Sequence, residues 1–144
     1  MLLGLGVSQK IDERNFLDFN ERKEMLIPIL DNLDIECEIR PIIDINDPPK
    51  YGEHVESVFP EMNESNTKIF TENPYTRDCF IQYGHNYQVV PTTTTLSSRA
   101  TDVRQLMIES GDWTKLVPNH VAEIIKKNNY IERLKQLKNQ DSQK

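Results

Sequence analysis

The sequence predicts an α/β domain built as a doubly wound parallel sheet. Short apolar runs at residues 2–7, 35–43, 67–71 and 87–90 read as strands, each followed by apolar residues at helical spacing. Regular strand–helix alternation favours parallel strands with helices on both faces, because a helix is the short connection between parallel neighbours. The chain has 144 residues, 37% hydrophobic and 28% charged, enough for one core and too apolar for a disordered chain. A single domain over 1–135 with a polar tail over 136–144 is the expected organisation.

Residues 2–7, Leu-Leu-Gly-Leu-Gly-Val, form a short buried strand. Gly4 and Gly6 let another group approach the backbone near its carboxyl end, and Ser8 and Gln9 turn the chain. Two glycines at this spacing equally suit a tight strand-to-helix turn. After a polar loop, Asp18-Phe19-Asn20-Glu21 is a capping box. Met25, Leu26, Ile29, Leu30 and Leu33 supply the buried stripe of the helix that follows. Pro28 removes one internal hydrogen bond and is expected to kink it.

The strand over 35–43 runs into Asp44-Ile45-Asn46-Asp47-Pro48-Pro49, a loop fixed by two prolines. A helix over 51–59 carries Tyr51, a half-buried aromatic or a stacking ring, and His54, a structural or ligand-side histidine. Beyond the third strand, Pro74 takes the tolerated first position of a helix. Residues 92–95 are all threonine and fit an edge strand or a loop. The tail is helical over 119–139, interrupted at Asn128-Asn129, with Val121, Ile124, Ile125, Ile131 and Leu134 inward. It is expected to fray from Gln136.

The stretch 96–118 is a hydroxyl-rich loop entering a helix. Thr101 or Ser98 is the expected N-cap, and Val103, Leu106 and Met107 follow at helical spacing. Gly111 is expected to end the helix by adopting positive φ. Free N–H groups, hydroxyls and Arg104 at one helix start suit a phosphate; a plain capped helix fits the same residues.

Thr101-Asp102-Val103-Arg104 with Met107, Gly111-Asp112-Trp113, Leu116-Val117-Pro118 and Val121 resembles the C-terminal signature of archaeal-type nicotinamide-nucleotide adenylyltransferases. There the pattern is close to Ser-Gly-Thr-Glu-Val-Arg-Arg-x-Met, then Gly-Asp-Trp, then Leu-Val-Pro. Arg99 stands where the family has its leading Ser, and Gln105 where it has its second Arg. The resemblance extends back through the chain. Gly4-Leu5-Gly6-Val7-Ser8-Gln9 is similar to Gly-Ile-Gly-Ser-Ala-Gln, Glu21-Arg22 to a Glu-Arg at the same helix start, and Tyr51 with His54 to an aromatic-x-x-His helix. Asn73-Pro74 with Phe80 and Gly84 resembles a Gly-Asn-Pro…Leu-Phe…Gly-Tyr segment.

The resemblance implies a Rossmann-like nucleotidyltransferase fold and transfer of AMP from ATP to nicotinamide mononucleotide, giving NAD and pyrophosphate. It implies that Gly6, Ser8, Thr101 and Arg104 contact ATP, that Tyr51 stacks on nicotinamide, and that Asn46 and Asn73 lie beside it. Mg²⁺ would arrive with ATP, held largely by substrate phosphates. A homo-oligomer is implied as well.

The family's catalytic Gly-Arg-x-Gln-Pro-x-His-x-Gly-His motif, in its first strand-turn-helix, has no counterpart here. The three histidines, His54, His85 and His120, are not followed by x-Gly-His. No catalytic residue and no metal ligand is therefore assigned, and the chain reads as one lacking the first βα unit, roughly 30 residues by the size of such a unit. Three readings stand: an adenylyltransferase impaired without that unit, a non-catalytic nucleotide-binding or assembly module, and a transferase of the same superfold acting on another nucleotide. A formal net charge of −6 argues against broad attraction to nucleic acid or an anionic membrane. No apolar run approaches the roughly 20 residues of a membrane span. Cys37 and Cys79 form no metal-type pair and read as buried thiols of a cytoplasmic protein.

Overall fold

The computed structural model describes residues 1–91 and 99–141. Thr92–Thr95 and the alternative cap Ser98 lie outside the described residues. The elements run β1 (Leu2–Val7), α1 (Phe19–Asn32), β2 (Glu38–Ile43), α2 (Pro48–Val58), β3 (Lys68–Thr71), α3 (Pro74–Gln82), β4 (Gln88–Pro91) and α4 (Ala100–Ile108). A 3-10 turn at Trp113–Leu116, then α5 (Asn119–Lys127) and α6 (Tyr130–Asp141), complete the chain. The α/β class and the parallel strands are as expected. The sheet, however, comes in two halves: β1 pairs with β2 and β3 with β4, and no ladder joins the halves among the described residues.

Two cores form, one among helices and loops and one that β2, β3 and β4 share. Met25 of α1 packs with Phe16, Met107, Trp113, Ile125 and Leu134 in one cluster. Val55 and Phe59 of α2 join Ile42, Phe80 and Tyr87 in the other, with Ile69 and Val89 against them. Helix α3 packs beside α2. Ligands of open α/β sheets bind at the carboxyl ends of the strands.

Local chemistry explains most boundaries. Asp18 accepts from the Glu21 N–H at 2.9 Å while Glu21 accepts from the Asp18 N–H at 2.9 Å, the reciprocal box that starts α1. The Glu21 carboxylate also pairs with Arg133 of α6 at 2.7 Å, so it is a partly buried tie between helices as well as a cap. Pro28 is accommodated inside α1. Leu33, expected in the buried stripe, is 58% exposed, because it is the C-cap of α1, where the chain leaves the helix face.

At α4 two expectations are corrected. The N-cap is Arg99, not Thr101: Thr101 already lies within the helix, and the Asp102 carboxylate accepts the Arg99 N–H at 2.8 Å. The positive φ after α4 falls on Ser110 (59°), not Gly111. The Gly111 N–H donates to Leu106 O at 2.8 Å and the Ser110 N–H to Met107 O at 3.4 Å, a Schellman ending. A Cβ at Gly111 would lie 2.8 Å from Leu106 Cδ2, so any larger residue there requires that side chain to shift. The tail breaks at Asn129 (φ 55°), as the Asn128-Asn129 pair suggested. Helix α6 then continues to Asp141, and Leu137 packs on the core rather than fraying. Cys79 is buried; Cys37 is only half-buried.

Candidate nucleotide site

Sequence-chosen residues fall into two groups at the carboxyl ends of the strands. The first gathers around Asp44, just past β2. The Asp44 N–H donates to Val7 O at 3.1 Å, its carbonyl accepts from Gln9 Nε2 at 3.3 Å, and its carboxylate accepts the Asn46 N–H at 3.0 Å. These bonds tie the end of β1, where Gly6 and Ser8 sit, to the loop carrying Asn46. Asn46 takes φ 48°, a left-handed conformation that Asn tolerates better than most residues. Ser8 is engaged locally, its Oγ accepting the Lys10 N–H at 3.3 Å.

Tyr51 opens the first turn of α2. Its ring meets Phe80 edge-on at 6.3 Å and Tyr75 at 5.9 Å. Burial is the main cause of a raised Tyr51 hydroxyl pKa, and the Asp44 charge adds to it. Tyr51 therefore sits at the margin of the core, one side packed on Phe80 and the other toward the strand ends. Asn73 caps α3, its Oδ1 accepting the Tyr75 N–H at 3.0 Å. That spends the side-chain oxygen and leaves the Nδ2 hydrogens as the part suited to a ligand. Two residues of this group, Asp44 and Tyr75, escaped sequence reasoning. Tyr75 follows directly on Asn73-Pro74 and is 41% exposed, and its place in the first turn of α3 was the available signal.

The second group lines an open cleft of 460 Å³ formed by Asp12, Glu13, Arg14, Thr101, Arg104 and Gln105. An Arg104 guanidinium nitrogen donates to Thr101 Oγ1 at 3.3 Å. The carboxylates nearest in sequence are already used: Asp102 by the Arg99 N–H, and Glu109 by the Gln105 amide. Among the described residues Arg104 forms no ion pair. Arg14 on the opposite wall is a second cation that sequence reasoning missed, since it lies in a loop without periodicity. The loop over 8–17 leads from β1 to this wall, which is how the two groups are connected.

The histidines lie elsewhere. His120 Nε2 is 3.0 Å from Met25 O. His85 faces Glu56 at 3.4 Å and stacks on Tyr87. Tyr87 donates to the same Glu56 oxygen at 2.8 Å, and burial above all pushes its hydroxyl up to about 12. His54 Nε2 is buried and has no hydrogen-bond partner among the described residues. Trp113, prominent in the sequence motif, is a core residue, 5% exposed. No group of three His, Cys, Asp or Glu side chains among the described residues is placed to hold a metal ion. No described helix is long and apolar enough to cross a membrane.

No family model matches the chain. Individual relatives do. The nicotinamide-nucleotide adenylyltransferase of Thermococcus onnurineus (strain NA1) is 32% identical over 140 residues, covering 95% of this chain and 73% of its own. That of Pyrococcus furiosus is 32% identical over 142 residues, with the same coverage of 95% and 73%. The Methanosarcina mazei protein of that name is 29% identical over 143 residues, 99% of this chain and 80% of its own. Similarity of this extent, together with the parallel α/β architecture, shows that the chain belongs to the nicotinamide-nucleotide adenylyltransferase family.

Proposed function

We propose that the chain holds ATP and nicotinamide mononucleotide for adenylyl transfer in NAD biosynthesis. In that reaction an oxygen of the mononucleotide phosphate attacks the α-phosphorus of ATP. A new phosphorus–oxygen bond forms, the bond to the bridging oxygen breaks, and pyrophosphate leaves with its electron pair. The carrying observation is Arg104, free of ion pairs among the described residues, beside Thr101 at a helix N-terminus in an open cleft. Arg104 lies in the second turn of α4 and its guanidinium reaches back to Thr101 in the first, so it can meet an anion held in front of the helix N-terminus. Its planar donor fork suits phosphate oxygens, and Arg14 adds a second charge across the cleft. Tyr51 and Tyr75 offer ring surfaces for nicotinamide, with Asn73 and Asn46 beside them. Gly6 and Ser8 border the nucleotide at the end of β1. Mg²⁺ enters with ATP and is held mainly by phosphates and water.

Arg104→Gln tests this reading. The variant is expected to be as stable as the wild type within about 0.5 kcal/mol, because Arg104 forms no ion pair among the described residues. Its ATP affinity is expected to fall by about 1.5–3 kcal/mol, the range for a charged hydrogen bond. Calorimetric titration with ATP and Mg²⁺ measures the difference; equal affinities in the presence of measurable wild-type binding exclude Arg104 as a phosphate ligand.

Tyr51→Ala tests the other half. Two edge-on ring contacts at about 0.5–1.5 kcal/mol each set the expected loss of stability. Nicotinamide mononucleotide binding is expected to weaken beyond that, while ATP binding is kept. A destabilisation of several kcal/mol with unchanged mononucleotide affinity makes Tyr51 a core residue only. Denaturant melts and titrations on the same preparation read both quantities.

A further inference from the structure

We propose that Arg133 of α6 is a positioning residue for the candidate phosphate cleft, holding the loop that carries Arg14 opposite Arg104. The inference rests on the reading of that cleft given above. The loop over 8–17 belongs to no strand or helix, so no ladder fixes where it stands. Its internal bonds are local: Asp12 Oδ1 accepts the Asn15 N–H at 2.7 Å and the Asn15 side-chain amide at 3.1 Å. That turn shapes residues 12–15 without setting their distance from α4. Arg133 reaches the loop from 117 residues away, its Nη1 donating to Phe16 O at 3.2 Å. The same nitrogen shares its hydrogens with both oxygens of the Glu21 carboxylate, at 2.8 and 2.7 Å. Glu21 in turn accepts the Asp18 N–H at the start of α1. One guanidinium therefore clamps a loop carbonyl to the first turn of α1, across the junction between them. It sets the direction in which the loop leaves the helix.

The place of Arg133 on α6 makes this hold specific to the cleft. Its neighbour Leu134 is fully buried and shares a core cluster with Met107 of α4, and α4 packs against α6. Adjacent residues of one helix thus reach both walls. Leu134 backs the helix that bears Thr101 and Arg104, and Arg133 holds the loop that bears Arg14. Arg133 is itself fixed: its guanidinium lies 4.8 Å from the ring centroid of the buried Tyr130, and the Glu21 side chain that it meets is largely buried. A planar fork fixed on a ring and a carboxylate loses little further freedom in holding a third group. An ordinary ion pair between α1 and α6 needs only Glu21. The added bond to Phe16 O is what extends that tie to the cleft wall. Arg14 and Arg104 can meet one phosphate together only at a set spacing, and a misplacement of about 1 Å is enough to lose much of an aligned interaction.

The test titrates ATP with Mg²⁺, and separately nicotinamide mononucleotide, into the full 144-residue chain and its variants. Arg133→Met keeps an apolar stem and removes the donors. It is expected to weaken ATP binding by about fivefold or more, as for residues joined in one hydrogen-bond network, and to leave mononucleotide binding within about twofold, as for independent sites. Amide exchange at Asn15 is expected to speed by about tenfold in the same variant. Arg133→Lys is expected to recover most of the ATP affinity, since the three bonds converge on one nitrogen and an ammonium carries three hydrogens. Glu21→Gln weakens the ion pair but keeps an oxygen for the Asp18 N–H and leaves the bond to Phe16. It is expected to melt lower yet to bind ATP within about twofold of the wild type. If Arg133→Met does not fold, Glu21→Gln/Arg133→Met, which leaves no unpaired charge, carries the same expectation. Arg14→Gln is the reference and should weaken ATP binding. The proposal is overturned if Glu21→Gln loses as much ATP affinity as Arg133→Met, because the tie then acts through general stability. Unchanged exchange at Asn15 also overturns it. If Arg14→Gln weakens ATP binding and Arg133→Met does not, Arg133 alone loses its role. If Arg14→Gln and Arg104→Gln both bind ATP as the wild type does, the reading of the cleft falls and the role of Arg133 with it.

Discussion

Mixed with ATP, nicotinamide mononucleotide and Mg²⁺, the purified 144-residue chain is expected to form NAD at well below about 1 s⁻¹, the low end of ordinary turnover. Adenylyl transfer builds negative charge on phosphate oxygens, and catalysis consists mostly of positioned donors that meet that charge. Each such donor is worth about 10²–10³ in rate. The histidines do not line the candidate phosphate cleft: His120 is at the Met25 carbonyl, His85 lies between Glu56 and Tyr87, and His54 is on α2 with a buried Nε2. Arg104 and Arg14 are the cations among the residues lining the cleft, with Asp12 and Glu13 beside them. The chain is thus expected to bind nucleotides far better than it turns them over. A coupled assay for NAD on the isolated chain decides the matter, and turnover at or above about 1 s⁻¹ refutes the expectation.

Phe80→Ala should cost about 3–5 kcal/mol of stability, the range for removing a large aromatic from a core. Phe80 is 1% exposed and meets Tyr51, His85 and Tyr87 edge-on, the last at 5.6 Å. It lies where α2 and α3 pack with β2, β3 and β4, and with no ladder between the half-sheets among the described residues this helix layer carries much of their attachment. The cavity has few ways to collapse, since its walls belong to different elements. Ile81, the next residue but 59% exposed, provides the control: Ile81→Ala should stay within about 0.5 kcal/mol, as is usual for surface changes. Denaturant unfolding of both variants reads the difference. A loss under about 1 kcal/mol for Phe80→Ala would mean that the two halves are not coupled through this core.

Local rules were legible in the chain because the atoms that satisfy them are close in sequence. Asp18 and Glu21 are three residues apart and form their box in the structure. Pro48 and Pro74 open helices because neither position needs an N–H. Asn129 breaks the tail because Asn tolerates the left-handed region. Strand–helix alternation foretold parallel pairing for the same reason: a helix is the short connection between parallel neighbours.

Other features depend on partners that no local pattern names. Glu21 reads in the sequence only as a capping residue, and its pairing with Arg133, from the far end of the chain, is visible only in the fold. Gly111 looked like the left-handed residue, yet the φ > 0 position went to Ser110, because the Schellman bonds to Leu106 and Met107 set the register of the turn. Arg14, Asp44 and Tyr75 sit in loops or first turns, and only the folded chain brings them beside Arg104, Asn46 and Tyr51. By itself, then, the sequence determined the elements, their parallel sense and the residues at the strand ends, all set by chemistry within a few residues. Tertiary structure alone decided that the sheet stands as two pairs, that Tyr51 lies at the core margin and that Arg104 forms no ion pair among the described residues. Each of these depends on contacts between segments tens of residues apart, whose closure no single stretch of sequence specifies.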